Sequence, residues 1–478
     1  MTKAHIRVRF APSPTGMMHL GNVRTALMNY LFAKQKNGTF IIRIEDTDFE
    51  RNFDPQAKHI LADLAWLDLT YQEGPLKGGY HEPYFQSQRT KLYQDELAEF
   101  VRKNLIYRCF CTTEELEKKR QRQLALKQPP RYDRTCLKLT PETIESYVAE
   151  NRPFIWRFKL NQEEPVTVHD LAHGSIKFDL KSFSDIPLTR QDGTFTFMFA
   201  NFIDDMQMEI THVIRGEDHL SNTAGQVAMY QACGITPPTF WHLPILCNAE
   251  GKKLSKRDFG FSLGDLRTAG FLPEAIDNYL AIIGGSFEQE IMSLEEIAQK
   301  FNFEHLSPTS QIKYDIEKLK WLNHKWIARV NIERLTQLCL PYLTSFYPEA
   351  KNIPIATLHK LIDMIRTDLV TLHDIAPSLE FYFKTPVLTK ILFADIAPEH
   401  VAKIQKMVEH QLHNLPKPDD FMHQLKTDAH QQAVPTKALF MALRIALIGK
   451  AQGPSIHDII EMLGTDEAKK RLQIFVNL

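Results

Sequence analysis

Cysteine is scarce in this chain of 478 residues, which contains only six. Cysteines this few and this scattered exclude a disulfide-held scaffold and favour a reducing compartment, which we expect to be the cytoplasm. The chain also lacks an apolar run of about 18 residues, the length that a membrane span requires. Its first residues lack the apolar core of a signal peptide. We therefore expect no membrane partner.

An excess of charge of one sign is missing as well. Lys and Arg number 57 and Asp and Glu 58, for a formal net charge of -1. This balance excludes a protein that coats nucleic acid by bulk charge, although a local basic face is compatible with it. A content of 44% hydrophobic and 24% charged residues is ordinary for a globular protein and excludes a disordered chain. The length predicts about three to five domains.

The first fifty residues predict half of a Rossmann-like, doubly wound α/β domain. Residues 6–10 alternate as a half-buried strand does, 23–34 have apolar residues at helical spacing, and 40–44 form an apolar run typical of a buried parallel strand. A second, strand-rich stretch at about 194–215 predicts the other half of this domain. From about Trp326 onward, amphipathic patterns predict an all-α region.

We expect five segments. The two halves of the split α/β domain are residues 1–90 and 193–245, and an α+β insertion at 91–192 lies between them. A helical domain with a basic loop follows at 246–325, and the all-α region is 326–478.

The usual phosphate-binding motifs are missing, since neither GxxxxGK[ST] nor GxGxxG stands at a strand-to-helix turn. The first such turn instead contains His19-Leu20-Gly21-Asn22. A helix beginning here directs free N–H groups and its positive end at the loop, which suits an anion. His19 could donate to a phosphate oxygen, and Gly21 could let a flat base lie against the backbone. The alternative is a histidine with a purely structural role.

A second candidate element is the loop Lys252-Lys253-Leu254-Ser255-Lys256-Arg257, which follows a glycine. A serine with a lysine on each side is what a loop that binds a polyphosphate requires, because such a loop can close over the substrate and neutralise departing pyrophosphate. The alternative is a solvated basic loop, as most such runs are.

Taken together, RFAPSPTG, RIEDTD, VIRGEDH and KLSKR, in this order, resemble the class I aminoacyl-tRNA synthetases, and most closely their bacterial-type glutamyl branch. His19 to Asn22 is similar to the HIGH motif of that family, and Lys253 to Arg257 is similar to its KMSKS motif. The resemblance implies that L-glutamate and ATP form glutamyl-adenylate with the help of Mg²⁺. The acyl group then passes to the 3′-terminal adenosine of tRNA(Glu), with no covalent enzyme intermediate.

The resemblance also implies roles for individual residues. The implied catalytic residues are His19, Lys253 and Lys256. The implied ATP-binding residues are His19, Gly21, Asn22, Lys253, Ser255 and Lys256. The implied glutamate-binding residues are Arg9, Ala11, Ser13, Glu45, Asn201 and Arg215.

The amino-acid pocket can also be interpreted from its chemistry. Glutamate carries two carboxylates and one ammonium group, so a selective pocket needs cations and an acid together. Arg9 and Arg215 stand at the ends of the two expected strands, where guanidinium groups could hold carboxylates, and Glu45 could bind the ammonium group. The alternative is that Arg9 and Glu45 form an ordinary surface pair. Phe197 stands where the family more often has a tyrosine, so one substrate hydrogen bond is expected to be missing.

Three cysteines of the insertion suggest a metal site. Cys109, Cys111 and Cys136, with Tyr132, form C-x-C followed by Y-x-x-x-C. Thiolates are the preferred ligands of structural zinc, and a tetrahedral site needs a fourth donor. No strong ligand follows Cys136 closely, so Tyr132 is the remaining option, as in some zinc-containing relatives. We expect one Zn²⁺ here; the alternative is three idle thiols.

The insertion also contains a basic cluster, which consists of Lys118, Lys119, Arg120, Arg122, Lys127, Arg131 and Arg134. The resemblance implies that this region contacts the acceptor end of tRNA and that the helical region after Trp326 binds the anticodon. The alternative is a solvated helix face. The pattern leaves tRNA(Gln) open as a second partner, and we expect a monomer.

Three other functions compete with this interpretation. A glutaminyl-tRNA synthetase would have β-barrels in its C-terminal part, and a truncated paralogue that modifies a tRNA base would lack the anticodon region. A synthetase-like binding protein should have lost motif residues, whereas His19, Lys253 and Lys256 are present.

Overall fold

A computed structural model describes residues 5–48, 52–300, 311–415 and 417–478. The chain forms two compact units. One comprises Met1–Leu266 and Ile276–Ile316, and the other comprises Arg267–Ala275 and Glu317–Leu478.

The strands, in chain order, are β1 (Arg7–Phe10), β2 (Thr39–Ile42), β3 (Ile106–Cys109), β4 (Ile155–Phe158), β5 (Val166–Asp170), β6 (Gly174–Phe178), β7 (Ile186–Pro187), β8 (His212–Gly216), β9 (Thr239–Leu243), β10 (Ile245–Cys247) and β11 (Gln311–Lys313). The helices up to residue 300 are α1 (Leu20–Gln35), α2 (Lys58–Trp66), α3 (Thr90–Arg102), α4 (Thr113–Ala125), α5 (Pro141–Ala149), α6 (Phe197–Gln207), α7 (Leu220–Cys233), α8 (Leu263–Thr268), α9 (Pro273–Ile282) and α10 (Leu294–Lys300).

The centre of the first unit is made of parallel strands. β1 pairs in parallel with β2 across α1, and β8 pairs in parallel with β9 across α7. The N–H of Thr211, directly before β8, donates to the carbonyl of Arg7, 3.0 Å away, which places β8 alongside β1. The expected Rossmann-like split domain is therefore present. The half-buried strand predicted at residues 6–10 is wrong, because every residue of β1 is buried. Its two polar residues, Arg7 and Arg9, are buried because they pair with Glu73 and Asp205.

The sheet that contains β8 and β9 takes two more strands from the stretch that we assigned to the insertion. Its order is β6-β5-β9-β8, with β5 and β6 antiparallel and β5 parallel to β9. The pairing of β5 with β9 joins Asp170 to Phe240. The remaining strands of the insertion, β3, β4 and β7, form a separate antiparallel sheet.

The strand-rich stretch expected at 194–215 is wrong over most of its length, because α6 occupies it and only β8 at its end is a strand. Phe195, Phe197 and Phe199 alternate along the sequence as they would in a strand. In the fold, Phe199, Phe202 and Ile203 are buried together on one face of the helix. A short apolar run fits either period, so its burial in the tertiary structure decided between them.

The second unit is helical, as expected. Its helices are α11 (Ile316–Ile327), α12 (Ile332–Phe346), α13 (Ile355–Ile365), α14 (Ile375–Phe383), α15 (Pro398–Gln411), α16 (Pro418–Gln431), α17 (Thr436–Ile448), α18 (Ile456–Leu463) and α19 (Thr465–Val476). They pack around one apolar core that runs from Leu272 to Phe475. Across both units, none of the helices in the described ranges is long and apolar enough to cross a membrane.

Candidate active site

A cleft of about 600 Å³ opens at the carboxyl ends of β1, β8 and β9. Its size lies within the range of about 300–1,000 Å³ that is usual for small-molecule sites. The predicted substrate-binding residues that line it are Arg9, Ala11, Ser13, His19, Gly21, Asn22, Glu45, Asn201, Arg215 and Lys253. Ser255 and Lys256 are not among the described residues that line it. The structure thus brings together ten of the twelve residues that we expected in this site.

His19 is the N-cap residue of α1 and lines the cleft at the same time. Its Nδ1 accepts the backbone N–H of Asn22 at 3.2 Å, which leaves Nε2 to hold the ring proton. Burial lowers the pKa of His19, and the charge of Lys253 lowers it further, so the ring is neutral at pH 7. A neutral imidazole with a proton on Nε2 is a hydrogen-bond donor. The structural and functional interpretations of His19 are therefore compatible.

Gly21 has a packing requirement that the sequence did not reveal. A Cβ at this position would lie 3.0 Å from both Cε1 and Nδ1 of His19. Any larger residue would therefore press against the imidazole. The missing side chain keeps the His19 ring in place, whether or not a base also lies here.

The basic loop contributes Lys253 to the cleft. The Nζ of Lys253 lies 2.9 Å from Oδ2 of Asp218, a residue that also lines the cleft. The Ser255 hydroxyl instead donates to Oδ2 of Asp258 at 2.9 Å, and the side chain of Lys256 is exposed. In this conformation the loop thus presents one of its three predicted residues to the cleft.

On the amino-acid side of the cleft, the expected cations and acid are buried. Arg9 is 3% exposed and donates from Nε and Nη2 to the two carboxylate oxygens of Asp205, at 2.9 and 3.1 Å. Glu45 is also buried, and its Oε1 accepts from Arg43 at 3.0 Å and from Asn201 at 2.6 Å. Burial raises the pKa of Glu45, against the opposing pull of Arg43 and Arg9. The surface-pair alternative is wrong.

Arg43 and Asp205 are buried partners of the predicted site residues that sequence reasoning missed. Arg43 bridges the two carboxylates, because its Nη1 also donates to Oδ1 of Asp205 at 2.7 Å. One sequence signal could have revealed Arg43: it stands two positions before Glu45, and i and i+2 in an extended chain point to the same side. No comparable signal marks Asp205, which lies within an apolar helix.

Arg215 differs from the other buried arginines of this site. Its Nη2 donates to the Thr223 hydroxyl and to Oε1 of Gln226, each at 2.6 Å. Its Nε and Nη1 are buried and have no hydrogen-bond partner among the described residues. Burial and the nearby charge of Arg9 lower the pKa of Arg215 to about 9, so it stays charged at neutral pH. The cleft thus contains a buried cation with two donors available, which suits an anionic ligand.

Comparison with known proteins identifies the family of this chain. Residues 5–321 match the family "tRNA synthetases class I (E and Q), catalytic domain", and residues 334–476 match the family "Anticodon binding domain". The chain belongs to the class I tRNA synthetases of the glutamate and glutamine group. The resemblance that we drew from the motifs is therefore confirmed.

Individual relatives of this class I synthetase cover nearly its whole length. A glutamate–tRNA ligase of Carboxydothermus hydrogenoformans is 37% identical over 99% of this chain and 100% of its own. One of Bacillus subtilis is 35% identical over 98% and 99%. The crystal structure of a glutamate tRNA ligase from Elizabethkingia meningosepticum in complex with its amino acid has a TM-score of 0.88 at 31% identity, covering 99% of both chains.

Two of the competing functions are contradicted by the second unit of the synthetase. From α11 to α19 its described residues contain helices and no strand, unlike the β-barrels of the glutaminyl alternative. The match to an anticodon-binding domain over 334–476 contradicts the truncated paralogue.

The structure brings the predicted metal ligands of the synthetase together. The Sγ atoms of Cys109, Cys111 and Cys136 lie within 4.8 Å of one another. The Tyr132 hydroxyl lies 3.3 Å from Sγ of Cys109 and 3.9 Å from Sγ of Cys111. Three buried thiols around one point, with an oxygen beside them, fit a tetrahedral zinc site.

The predicted basic cluster is divided by its contacts. Lys119 lies 3.0 Å from Asp133, and Arg134 pairs with Asp185. Arg131 donates to the carbonyl of Lys181 at 2.7 Å. These cations have structural contacts, whereas others of the cluster are exposed, namely Lys118, Arg122 and Lys127.

Proposed function

We propose that this protein is a glutamate–tRNA ligase that activates L-glutamate with ATP and transfers it to the 3′-terminal adenosine of tRNA(Glu). The observation that carries the proposal is Arg215, a buried cation in the cleft with two unused donors. An anionic substrate satisfies these donors, whereas a neutral one leaves the buried charge without a counter-ion. The names of the full-length relatives agree with this substrate.

In the glutamate-binding half of the cleft, we assign the side-chain carboxylate of glutamate to Arg215 and Arg9. The carboxylate of Glu45 is assigned to the α-ammonium group, since Glu45 is the buried acid of the cleft next to both arginines. The side chains of Ser13 and Asn201 add hydrogen bonds, and Ala11 lies along the substrate. Glutamine, which lacks the side-chain carboxylate, is disfavoured because it would leave a buried cation uncompensated.

In the ATP-binding half, His19 donates from Nε2 to a phosphate oxygen, and Gly21 and Asn22 border the adenosine. An oxygen of the α-carboxylate of glutamate attacks the α-phosphate of ATP, opposite the departing pyrophosphate, so no enzyme nucleophile takes part. Lys253 and Lys256 stabilise the pyrophosphate, and Ser255 adds a hydrogen bond. Because Ser255 and Lys256 stand outside the cleft lining, we propose that the loop closes on ATP.

Mg²⁺ would be held mainly by the phosphate oxygens of ATP. The carboxylates of Asp48 and Asp218, which line the cleft, are oxygen donors of the kind that it accepts. When bound, the ion neutralises charge on the phosphates.

In the second step, the terminal adenosine of tRNA attacks the carbonyl carbon of the adenylate through a ribose hydroxyl, and AMP leaves. We propose that residues 91–192 and 246–325 contact the acceptor arm, while residues 326–478 read the anticodon. We further propose that the protein acts as a monomer in the cytoplasm.

We propose one structural Zn²⁺ held by Cys109, Cys111 and Cys136, with Tyr132 as the fourth donor. The support is the convergence of three thiol sulfurs within 4.8 Å. Metal analysis of protein purified without chelators should give about one equivalent of zinc. Less than about 0.2 equivalents would contradict the site.

Aminoacylation tests the proposed function directly. Purified protein is incubated with ATP, Mg²⁺ and labelled glutamate, with purified tRNA(Glu) or tRNA(Gln) in parallel, and the His19→Ala variant is the matched inactive control. We expect tRNA(Glu) to be charged. Glutamylation of tRNA(Gln) as well would identify it as a second partner, and absence of charging of either tRNA would refute the ligase.

A further inference from the structure

The two arginines assigned to the glutamate carboxylate differ in the charge of their hydrogen-bond partners. Arg9 faces the carboxylate of Asp205 through two hydrogen bonds, so part of its charge is compensated directly within the protein, although Arg43 shares this carboxylate. Arg215 is held by the hydroxyl of Thr223 and the amide oxygen of Gln226, both of which are neutral. A direct carboxylate partner on Arg215 would compete with the substrate carboxylate for the same guanidinium.

A chain of buried polar groups continues behind Thr223. The Thr223 hydroxyl lies 2.7 Å from Nε2 of His242, and Nδ1 of His242 lies 2.7 Å from Oδ2 of Asp170. Thr223 and His242 are fully buried, and Asp170 is 5% exposed. The three residues come from α7, β9 and β5, and β9 and β5 are neighbours in the sheet.

The direction of the hydrogen bonds in this chain follows from Asp170. Burial alone would raise the pKa of Asp170, but the hydrogen bonds from His242 and His173 outweigh it and lower this pKa to about 2. An ionised carboxylate only accepts, so His242 donates from Nδ1. Burial also lowers the pKa of His242, so the ring is neutral and its Nε2 accepts. The Thr223 hydroxyl has two acceptors within reach, Nε2 of His242 at 2.7 Å and the carbonyl of His219 at 3.2 Å. It donates to the nearer one, Nε2, and turns a lone pair toward Arg215.

We propose that Thr223, His242 and Asp170 are positioning residues that orient Arg215 through a neutral hydroxyl, so that its positive charge remains available to the carboxylate of glutamate. This inference rests on the proposed function. The negative charge of Asp170 polarises the chain toward Arg215 from a distance and does not neutralise the guanidinium. Asp170 is the last residue of β5, which pairs with β9, so this part of the expected insertion brings Asp170 next to His242.

Thr223→Val tests the first link, because it keeps the shape of the side chain and removes the hydroxyl. Pyrophosphate exchange with tRNA(Glu) present measures the KM of glutamate and of ATP separately. We expect the KM of glutamate to rise about 10-fold, the size of one lost hydrogen bond to a charged group, while the KM of ATP stays as in the wild type. Thr223→Ser, which restores the hydroxyl, should behave as the wild type.

The double variant Thr223→Val with Asp170→Asn tests whether the residues act in series. If Asp170 acts on Arg215 only through Thr223, the double variant should have the glutamate KM of Thr223→Val alone. A glutamate KM that is higher in the double variant than in Thr223→Val alone would overturn the series arrangement. If Thr223→Val does not fold, Thr223→Ala takes its place in both comparisons.

The outcomes separate this inference from the proposed function. Wild-type protein without glutamate-dependent exchange in the presence of tRNA(Glu) would refute the ligase. An active Thr223→Val variant whose glutamate KM lies within about twofold of the wild type, or whose ATP KM rises equally, would overturn only the positioning role.

Discussion

The two sides of the cleft are built differently. On the amino-acid side, Arg9, Glu45 and Arg215 are buried, and hydrogen bonds with residues of two helices, α6 and α7, set their positions. On the phosphate side, Lys253 is exposed, and Lys256 stands outside the lining of the cleft. Charges that select a small substrate work best when they are desolvated and placed in advance, because electrostatic interactions are stronger where water is excluded. A loop that grips a polyphosphate must also release it, which favours exposed lysines.

The strongest test of the amino-acid side is Arg215→Gln. Removing the buried cation deprives the substrate carboxylate of its partner, and truncation of one member of a buried charged pair costs about 2–5 kcal/mol. We expect kcat/KM for glutamate to fall by about 10³-fold while the KM of ATP changes little. Pyrophosphate exchange with tRNA present measures both. An equal rise in both KM values would mean that Arg215 serves the whole cleft.

Lys256→Ala tests the phosphate side. If the loop closes during the reaction, losing this lysine should cost about 2.7–4 kcal/mol of transition-state stabilisation, a factor of about 10²–10³ in the rate of adenylate formation. The neighbouring Lys252→Ala is the matched control, because Lys252 is also exposed and its Nζ pairs with Glu250 at 2.9 Å. We expect it to keep full activity. Equal losses in both variants would indicate bulk charge in place of a specific contact.

Phe197→Tyr should strengthen glutamate binding on the amino-acid side of the cleft. Phe197 lines the cleft and its ring lies 5.6 Å from that of His219. A hydroxyl added here supplies the substrate hydrogen bond that we expect to be missing, worth about 0.5–1.5 kcal/mol. The KM of glutamate should fall by about 2–10-fold. A rise in this KM would mean that the cleft has no room for the hydroxyl.

The smallest effect is expected from pH. Burial, followed by the charge of Lys253, lowers the pKa of His19, so its imidazole becomes protonated at a lower pH than an ordinary histidine, whose pKa is about 6.5. The rate of adenylate formation at about pH 6.5 should therefore remain above half of its value at about pH 7.5. This rate is measured by rapid quench at saturating substrates. A rate that has fallen to half at about pH 6.5 would show that His19 titrates as an ordinary exposed histidine does.

Much of the fold was accessible from the sequence, but its middle was not. The helices after Trp326 have amphipathic patterns, which are the most reliable local signal. The helix after the first strand has apolar residues at helical spacing, although the fold buries it on nearly every side. The stretch at 194–215 was misread because Phe195, Phe197 and Phe199 alternate in sequence, whereas burial in α6 follows the helical period. Local pattern alone cannot separate these cases when the apolar run is short.

For the active site, motif residues were predictable and their partners were not. Arg9, His19, Glu45 and Arg215 stand in or beside recognisable motifs. Asp205 lies 196 positions from the Arg9 that it pairs with, and Asp170 lies 72 positions from His242. No periodicity links residues so far apart.

The sequence by itself determined the family, most of the side chains that line the cleft and the helical nature of the C-terminal region, because these depend on short motifs and on local periodicity. Only the tertiary structure decided which arginine has its charge compensated, which tautomer His19 adopts and which loop residues reach the cleft. These properties depend on burial and on hydrogen bonds between distant segments, and both arise only when the strands and helices pack together.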